Sequence, residues 1–249
     1  MLTLVFRLQA PMAAWGDIAV GERRGSWSRP GKSAVLGLVA AALGHPRSEA
    51  AAHAELHAAL GYAVRIDDPG RPLRDYHTAQ APSAGRNARW ETRRDELAGP
   101  KEELNTILSE RLYYGDPKAT VALWRREEAG SGPTLEGIAE ALRRPVFALY
   151  LGRKACPPGR PLNPRILEAK DLPAAFQAYD AMEPKQDALR RFAPRPSDGA
   201  PEIWADLDAG FGFDPEEVTR RRDGLRDRPR WLFADRREGR VPEPKAATP

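Results

Sequence analysis

Two short apolar segments, residues 62–66 (YAVRI) and 120–124 (TVALW), read as strands, yet about fifty residues lie between them. Strands joined by a hairpin need roughly two to five connecting residues. The connection, residues 67–119, is therefore an insertion with structure of its own, and insertions of that length usually carry function. Any fold for this chain has to tolerate it as a projection from a sheet.

The flanking elements narrow the choice. Residues 2–9 alternate, with Leu2, Leu4, Phe6 and Leu8 on one side and Thr3, Val5, Arg7 and Gln9 on the other, which predicts a half-buried strand with a polar open face. A Gly- and Pro-punctuated loop leads into a predicted helix over 33–43, with Gly44 as its C-cap, and a second helix over 48–60 that stops before Gly61. After the insertion come the strand 120–124, a helix over 134–143 with apolar Leu135, Ile138, Ala139 and Leu142, and, past Pro145, a strand over 146–151. Strand, helix, strand, strand, helix, strand is the order of an α+β, ferredoxin-like (RRM-like) βαββαβ fold, here with the insertion between strands 2 and 3. Beyond Gly152 the pattern predicts a strand at 165–169, a helix at 172–182 and one or two strands within 215–241, whose arginines at 220–222, 236 and 237 are expected to face solvent for the most part.

Composition excludes several classes. With 249 residues and 41% hydrophobic residues the chain can bury a core, and its mean hydropathy of -0.58 is that of a soluble globular protein. A lone Cys156 allows neither an intrachain disulfide nor a thiolate cluster, which makes an intracellular protein the default. The N-terminus MLTLVFR lacks a basic leader and the longest apolar run, 34–43, is too short for a bilayer, so a cytoplasmic protein with no membrane partner is expected. No phosphate-loop, dinucleotide, zinc-protease or nucleophile-elbow motif is present, and no cofactor is expected. His53 and His57 have i,i+4 spacing on a predicted helix, but no third ligand accompanies them, so no metal site is assigned.

Three segments have the chemistry of an anion site. In 23–44 (RRGSWSRPGKSAVLGLVAAALG), Arg23, Arg24, Arg29 and Lys32 crowd the start of a helix, where unpaired N–H groups and the helix dipole favour an anion. Gly152, Arg153 and Lys154 follow a predicted strand and fit either a plain turn or a phosphate contact. Within the insertion, Arg86, Arg89, Arg93, Arg94 and Lys101 interleave with Trp90, Tyr113 and Tyr114, a combination used on single-stranded nucleic acid, although the accompanying acids equally fit a solvated helix. His77, beside Tyr76 at the mouth of the insertion, is a packing residue or a general base.

Five segments in register, LVFRLQAPMAAWG, RPGKSAVLGLVAAALG, LRDYHT, TVALW and YLGRKACP, resemble the CasD family, the small RAMP-superfamily subunits of type I-E CRISPR (Cascade) surveillance complexes; the likeness continues through NPRILEAKDLPAAFQAYD. The resemblance implies a ferredoxin-like palm over residues 1–155, interrupted by a thumb at 70–118, and a short β-containing C-terminal region over 156–240; the composition of the last residues, PEPKAATP, predicts a disordered tail at 241–249. It also implies a non-catalytic role in antiviral defense: holding the 5′ repeat-derived handle of the CRISPR RNA and capping the complex beside the CasC backbone subunit and the large CasA subunit, with target DNA met only through the complex. Carried onto this chain, the RNA contacts would be Trp15, Arg24, Lys32, Ser33, Tyr76, His77, Arg153 and Lys154. Arg7, Arg86, Arg89, Trp90, Arg93 and Arg94 would be RNA or backbone-subunit contacts. Two other functions stay open: a metal-free repeat endonuclease using His77, Tyr76 and Lys32, and a purely structural assembly subunit.

Overall fold

The computed structural model describes residues 1–83, 89–127, 130, 132–182, 201–207 and 210–241. Along the chain the elements are β1 (Leu2–Gln9), β2 (Met12–Ala13), β3 (Arg23–Arg24), α1 (Lys32–Leu43), α2 (Ala50–Ala59), β4 (Leu60–Asp68), β5 (Arg71–Pro82), α3 (Arg93–Glu96), β6 (Leu104–Gly115), β7 (Lys118–Arg125), α4 (Leu135–Arg143), β8 (Arg165–Glu168), α5 (Leu172–Ala181), β9 (Glu202–Asp206), β10 (Glu217–Asp227) and β11 (Leu232–Val241). The fold is α+β with two sheets. The larger runs β10-β11-β9-β4-β7-β1-β8, every neighbour antiparallel; the smaller gathers β2, β3, β5 and β6.

Strand β1 lies between β7 and β8, with Leu4 opposite Leu123 and Phe6 opposite Val121. Its even-numbered residues Leu4, Phe6 and Leu8 pack with Val35, Leu36 and Val39 of α1, Leu56 of α2, and Ile138 and Leu142 of α4. The other face is not open, contrary to the half-buried strand expected from alternation. Thr3 and Val5 are fully buried, and Val5 packs in one cluster with Ala63, Ala122, Trp124 and, from α5, Leu172, Phe176 and Tyr179. A helix supplied from far along the chain covers that face, which local periodicity in β1 cannot register.

Residues 146–151 do not form the predicted strand. The Val146 and Phe147 amides donate to the carbonyls of Ala42 and Ala41, so the segment satisfies the last turn of α1, whose carbonyls have no partner inside the helix. Gly44 closes the same helix in the left-handed region (φ 88°), as the sequence predicts. The strand beside β1 on that side is β8 instead.

The insertion is a long antiparallel hairpin rather than a solvated helix. Strands β5 and β6 pair over their full twelve residues, from Arg71 opposite Gly115 to Pro82 opposite Leu104. Among the described residues, helix in this segment is confined to α3, held by a reciprocal Thr92–Asp95 capping box, and one 3-10 turn at Lys101–Glu103. At its root β6 also pairs with β2 (Met12 opposite Gly115) and, in parallel, with β3 (Arg23 opposite Glu110).

The C-terminal strands continue the large sheet: β9 pairs with β4, Trp204 opposite Val64, and β11 and β10 follow. Their arginines are not all solvated. Arg221 is 3% exposed and the Arg236 side chain 13%. No helix among the described residues is long and apolar enough to cross a membrane.

Candidate nucleic-acid interface

The start of α1 attracts an anion, as the sequence implies, but the anions are the chain's own carboxylates. Lys32 Nζ lies 2.7 Å from Asp206 Oδ2 with both side chains buried; Arg29 Nη2 lies 2.5 Å from Glu238 Oε1; and Arg236 reaches Asp206, Asp223 and Glu238 at 2.6, 2.8 and 2.7 Å. Burial lowers the Lys32 pKa, opposed by the Asp206 charge. For Arg236 burial pulls down too, but the surrounding carboxylates prevail and its pKa is raised. Arg221 donates to the carbonyls of Arg29 and Pro30, and a Cβ on Gly31 would come within 2.5 Å of Asp223 Oδ2, so glycine there lets β10 close over the helix start. The guanidinium of Arg29 stacks 3.9 Å from the Trp204 ring centroid and 5.5 Å from that of Trp27, which Arg221 approaches at 4.9 Å. Lys32 and Arg29 are therefore structural cations, not solvent-facing ones.

Solvent-facing cations gather instead at the thumb root. Residues directly opposite in a sheet share a face. Arg24 of β3 is opposite Arg111 of β6, and Arg111 is opposite Asp75 of β5, so Arg24, Arg111 and Asp75 share a face that also carries His77 and Tyr113 two residues along. Arg153 joins them: its guanidinium lies 4.5 Å from the Tyr113 ring centroid and donates to the carbonyls of Leu112 (3.2 Å) and Arg24 (3.1 Å). Gly152 makes this approach possible. It has φ 89°, and a Cβ there would sit 1.6 Å from the Ala14 carbonyl oxygen. Arg24, Arg111 and Lys154 are exposed, and among the described residues none of them, nor Arg153, has a carboxylate within ion-pair distance.

His77 and Tyr76, being consecutive in β5, point to opposite faces of the hairpin. His77 Nδ1 lies 3.1 Å from Asp75 Oδ2, whereas Tyr76 faces the side of Glu110, to which Arg23 (3.9 Å) and Arg74 (3.7 Å) are also directed. With Lys32 buried against Asp206, the three residues of the endonuclease alternative do not converge.

Both sheets fall within one known family: residues 3–241 match the model described as "CRISPR-associated protein (Cas_Cas5)". The chain belongs to the Cas5 family. It is 32% identical over 185 residues to the "CRISPR system Cascade subunit CasD" of Escherichia coli (strain K12), spanning 71% of this chain and 76% of that protein. Among solved structures it is similar to a chain of a "CRISPR RNA-guided surveillance complex", with TM-score 0.61 and 25% identity over 96% of this chain and 91% of that one. A second, "Crystal structure of Cas protein", gives TM-score 0.54 and 26% identity over 96% and 95%.

Within this Cas5 chain the sequence-predicted contacts divide by location. Arg24, Tyr76, His77, Arg153 and Lys154 lie at the thumb root; Trp15 and Ser33 line a groove beside α1; Lys32 is in the core. Arg7 is half-buried in β1, its amide donating to the Leu162 carbonyl. Arg89, Trp90, Arg93 and Arg94 are exposed towards the far end of the thumb, where Arg93 pairs with Glu96 and donates to the Gln80 carbonyl. Arg86 lies outside the described residues. Arg111 was not singled out by sequence reasoning. The alternation Ser109, Arg111, Tyr113 carried the signal, but only once that segment is read as a strand.

Proposed function

We propose that this Cas5 chain is the non-catalytic RNA-binding subunit of a type I-E CRISPR surveillance complex, where it holds the 5′ repeat-derived handle of the CRISPR RNA and caps the backbone. Membership of the family and likeness to a Cascade subunit and to a surveillance-complex chain support the setting. The palm is the ferredoxin-like unit formed by β8-β1-β7-β4, with β8 as its fourth strand, the β5–β6 hairpin as thumb and the C-terminal strands as an annex to the same sheet. Within a cytoplasmic complex its neighbours are the CasC backbone subunit and the large CasA subunit, and target DNA is met only through them.

One observation carries the RNA assignment: Arg24, Arg111 and Lys154, exposed and without carboxylate partners among the described residues, lie on the segments that meet at Arg153, which donates to the Arg24 and Leu112 carbonyls and stacks on Tyr113. Cations beside an aromatic ring suit phosphate contact and stacking along a single strand. The absence of convergence among His77, Tyr76 and Lys32 favours binding over cleavage.

The test is CRISPR RNA retention in the co-expressed complex carrying Arg111→Ala and Lys154→Ala, which should fall while the protein subunits still co-purify. Unchanged retention would return the chain to a purely structural role. Cleavage of repeat RNA by the isolated protein in chelator, abolished by His77→Ala, would establish the endonuclease instead.

A further inference from the structure

Between α1 and the β10–β11 hairpin runs a groove of about 550 Å³, walled by Trp15, Ile18, Leu38, Tyr150, Trp231 and Leu232. Four of these are unusually exposed for their size: Ile18 59%, Trp231 54%, Leu232 45% and Tyr150 40%. Its floor on α1 is Ser33, Ala34, Gly37 and Ala41, with the Arg228 guanidinium close against Gly37. Trp15, only 6% exposed, lines it as well, and its buried indole Nε1–H has no acceptor among the described residues.

The charges at the groove have a direction. On the hairpin side, Arg222 and Arg228 line it, and Arg228 and Arg47 both lie over the Trp231 ring, at 4.0 and 4.6 Å. Among the described residues no carboxylate pairs with Arg47, Arg222 or Arg228. The Arg228 pKa is lowered, by burial and then by the neighbouring Arg47 charge, so the two cations crowd each other. On the loop side stands Asp17, whose carboxylate accepts from the Ile18 amide. A phosphate chain threading the groove would meet that carboxylate, and the α1 N-terminus that would otherwise hold a phosphate is already closed by Asp223.

We infer that this groove is the docking seat for a polypeptide segment of another protein subunit. The segment carries an aliphatic or aromatic anchor that packs between Ile18 and Tyr150 on one side and Trp231 and Leu232 on the other, and acidic residues that meet Arg47, Arg222 and Arg228. Apolar burial provides the affinity and the arginines fix the direction of the segment. The inference is independent of the RNA assignment, which rests on Arg24, Arg111 and Lys154.

A photo-crosslinking amino acid at Ile18 or Leu232, in the complex purified with its companion subunits and RNA, reads out the occupant by mass spectrometry. The expected product is a crosslink to a peptide of another subunit with an Asp or Glu near an apolar residue. Its yield should fall about tenfold with Arg228→Glu and recover when that partner acid is changed to arginine. A crosslink to RNA, a crosslink to this chain itself, or no crosslink in an intact complex would overturn the inference. RNA retention is measured on the same samples, so loss of RNA binding is told apart from loss of docking.

Discussion

Lys32 Nζ and Asp206 Oδ2 meet at 2.7 Å, joining the first residue of α1 to the last residue of β9 across 174 positions of sequence. Asp206 also receives Arg236 at 2.6 Å and Arg126 at 3.3 Å, so one carboxylate serves three cations. Removing it strands buried charge. Asp206→Ala should destabilise the protein by about 3–5 kcal/mol in denaturant unfolding, the range for breaking a buried pair from one side. Lys32→Met should cost less, because Arg236 and Arg126 still neutralise Asp206. If Lys32 were instead a phosphate contact, Lys32→Met would weaken RNA binding while leaving the unfolding midpoint in place.

Acid should loosen the fold well above the carboxylate range. Burial, with the Lys32 charge next, pushes the His57 pKa down from 6.5 to about 3; Arg228 and His53 act the same way and Asp223 opposes them. His53 is shifted in the same direction, first by burial. A lowered histidine pKa means that the unfolded chain takes up a proton below pH 6.5 while the folded chain does not, so stability is full above that pH and is lost as pH falls toward 3. The slope for His57 is at most about 1.4 kcal/mol per pH unit. Unfolding free energies between pH 6.5 and 4.5 should decline in the wild type and flatten measurably in His57→Leu.

Gly152→Ala should disable the thumb root without touching a charged residue. The new Cβ would meet the Ala14 carbonyl, and the left-handed backbone alone costs about 1–2 kcal/mol for a non-glycine residue. Because Arg153 follows directly, its contacts with Leu112, Arg24 and Tyr113 should loosen. Thermal unfolding should show the loss of stability, and amide exchange at β3 should rise with it.

Much of this layout was legible in the chain and some was not, for identifiable reasons. The apolar spacing of α4 and the cap at Gly44 are local signals, and both elements formed where the sequence put them. The segment 146–151 is a short apolar run that reads as a strand, but its first two amides went to the carbonyls of α1, a demand set by tertiary structure. The basic residues before α1 read as a phosphate site, whereas Arg29 and Lys32 meet carboxylates of the chain itself. What the sequence could not say is that the anions come from β9–β11, about 170 to 210 residues away, because charge attraction has no period to read. Arg111 was hidden for the opposite reason: its segment has mixed charge, and the strand alternation shows only opposite β5.

The thumb-root site is tested most directly by the salt dependence of handle-RNA binding to the complex, with and without Arg24→Ala, Arg111→Ala and Lys154→Ala. Each lost phosphate contact on a single strand removes about 0.7 from the slope of log K against log salt. The triple variant should therefore bind more weakly at every salt concentration, with a slope shallower by about two. An intact variant complex that keeps both the wild-type affinity and the wild-type slope would contradict the account.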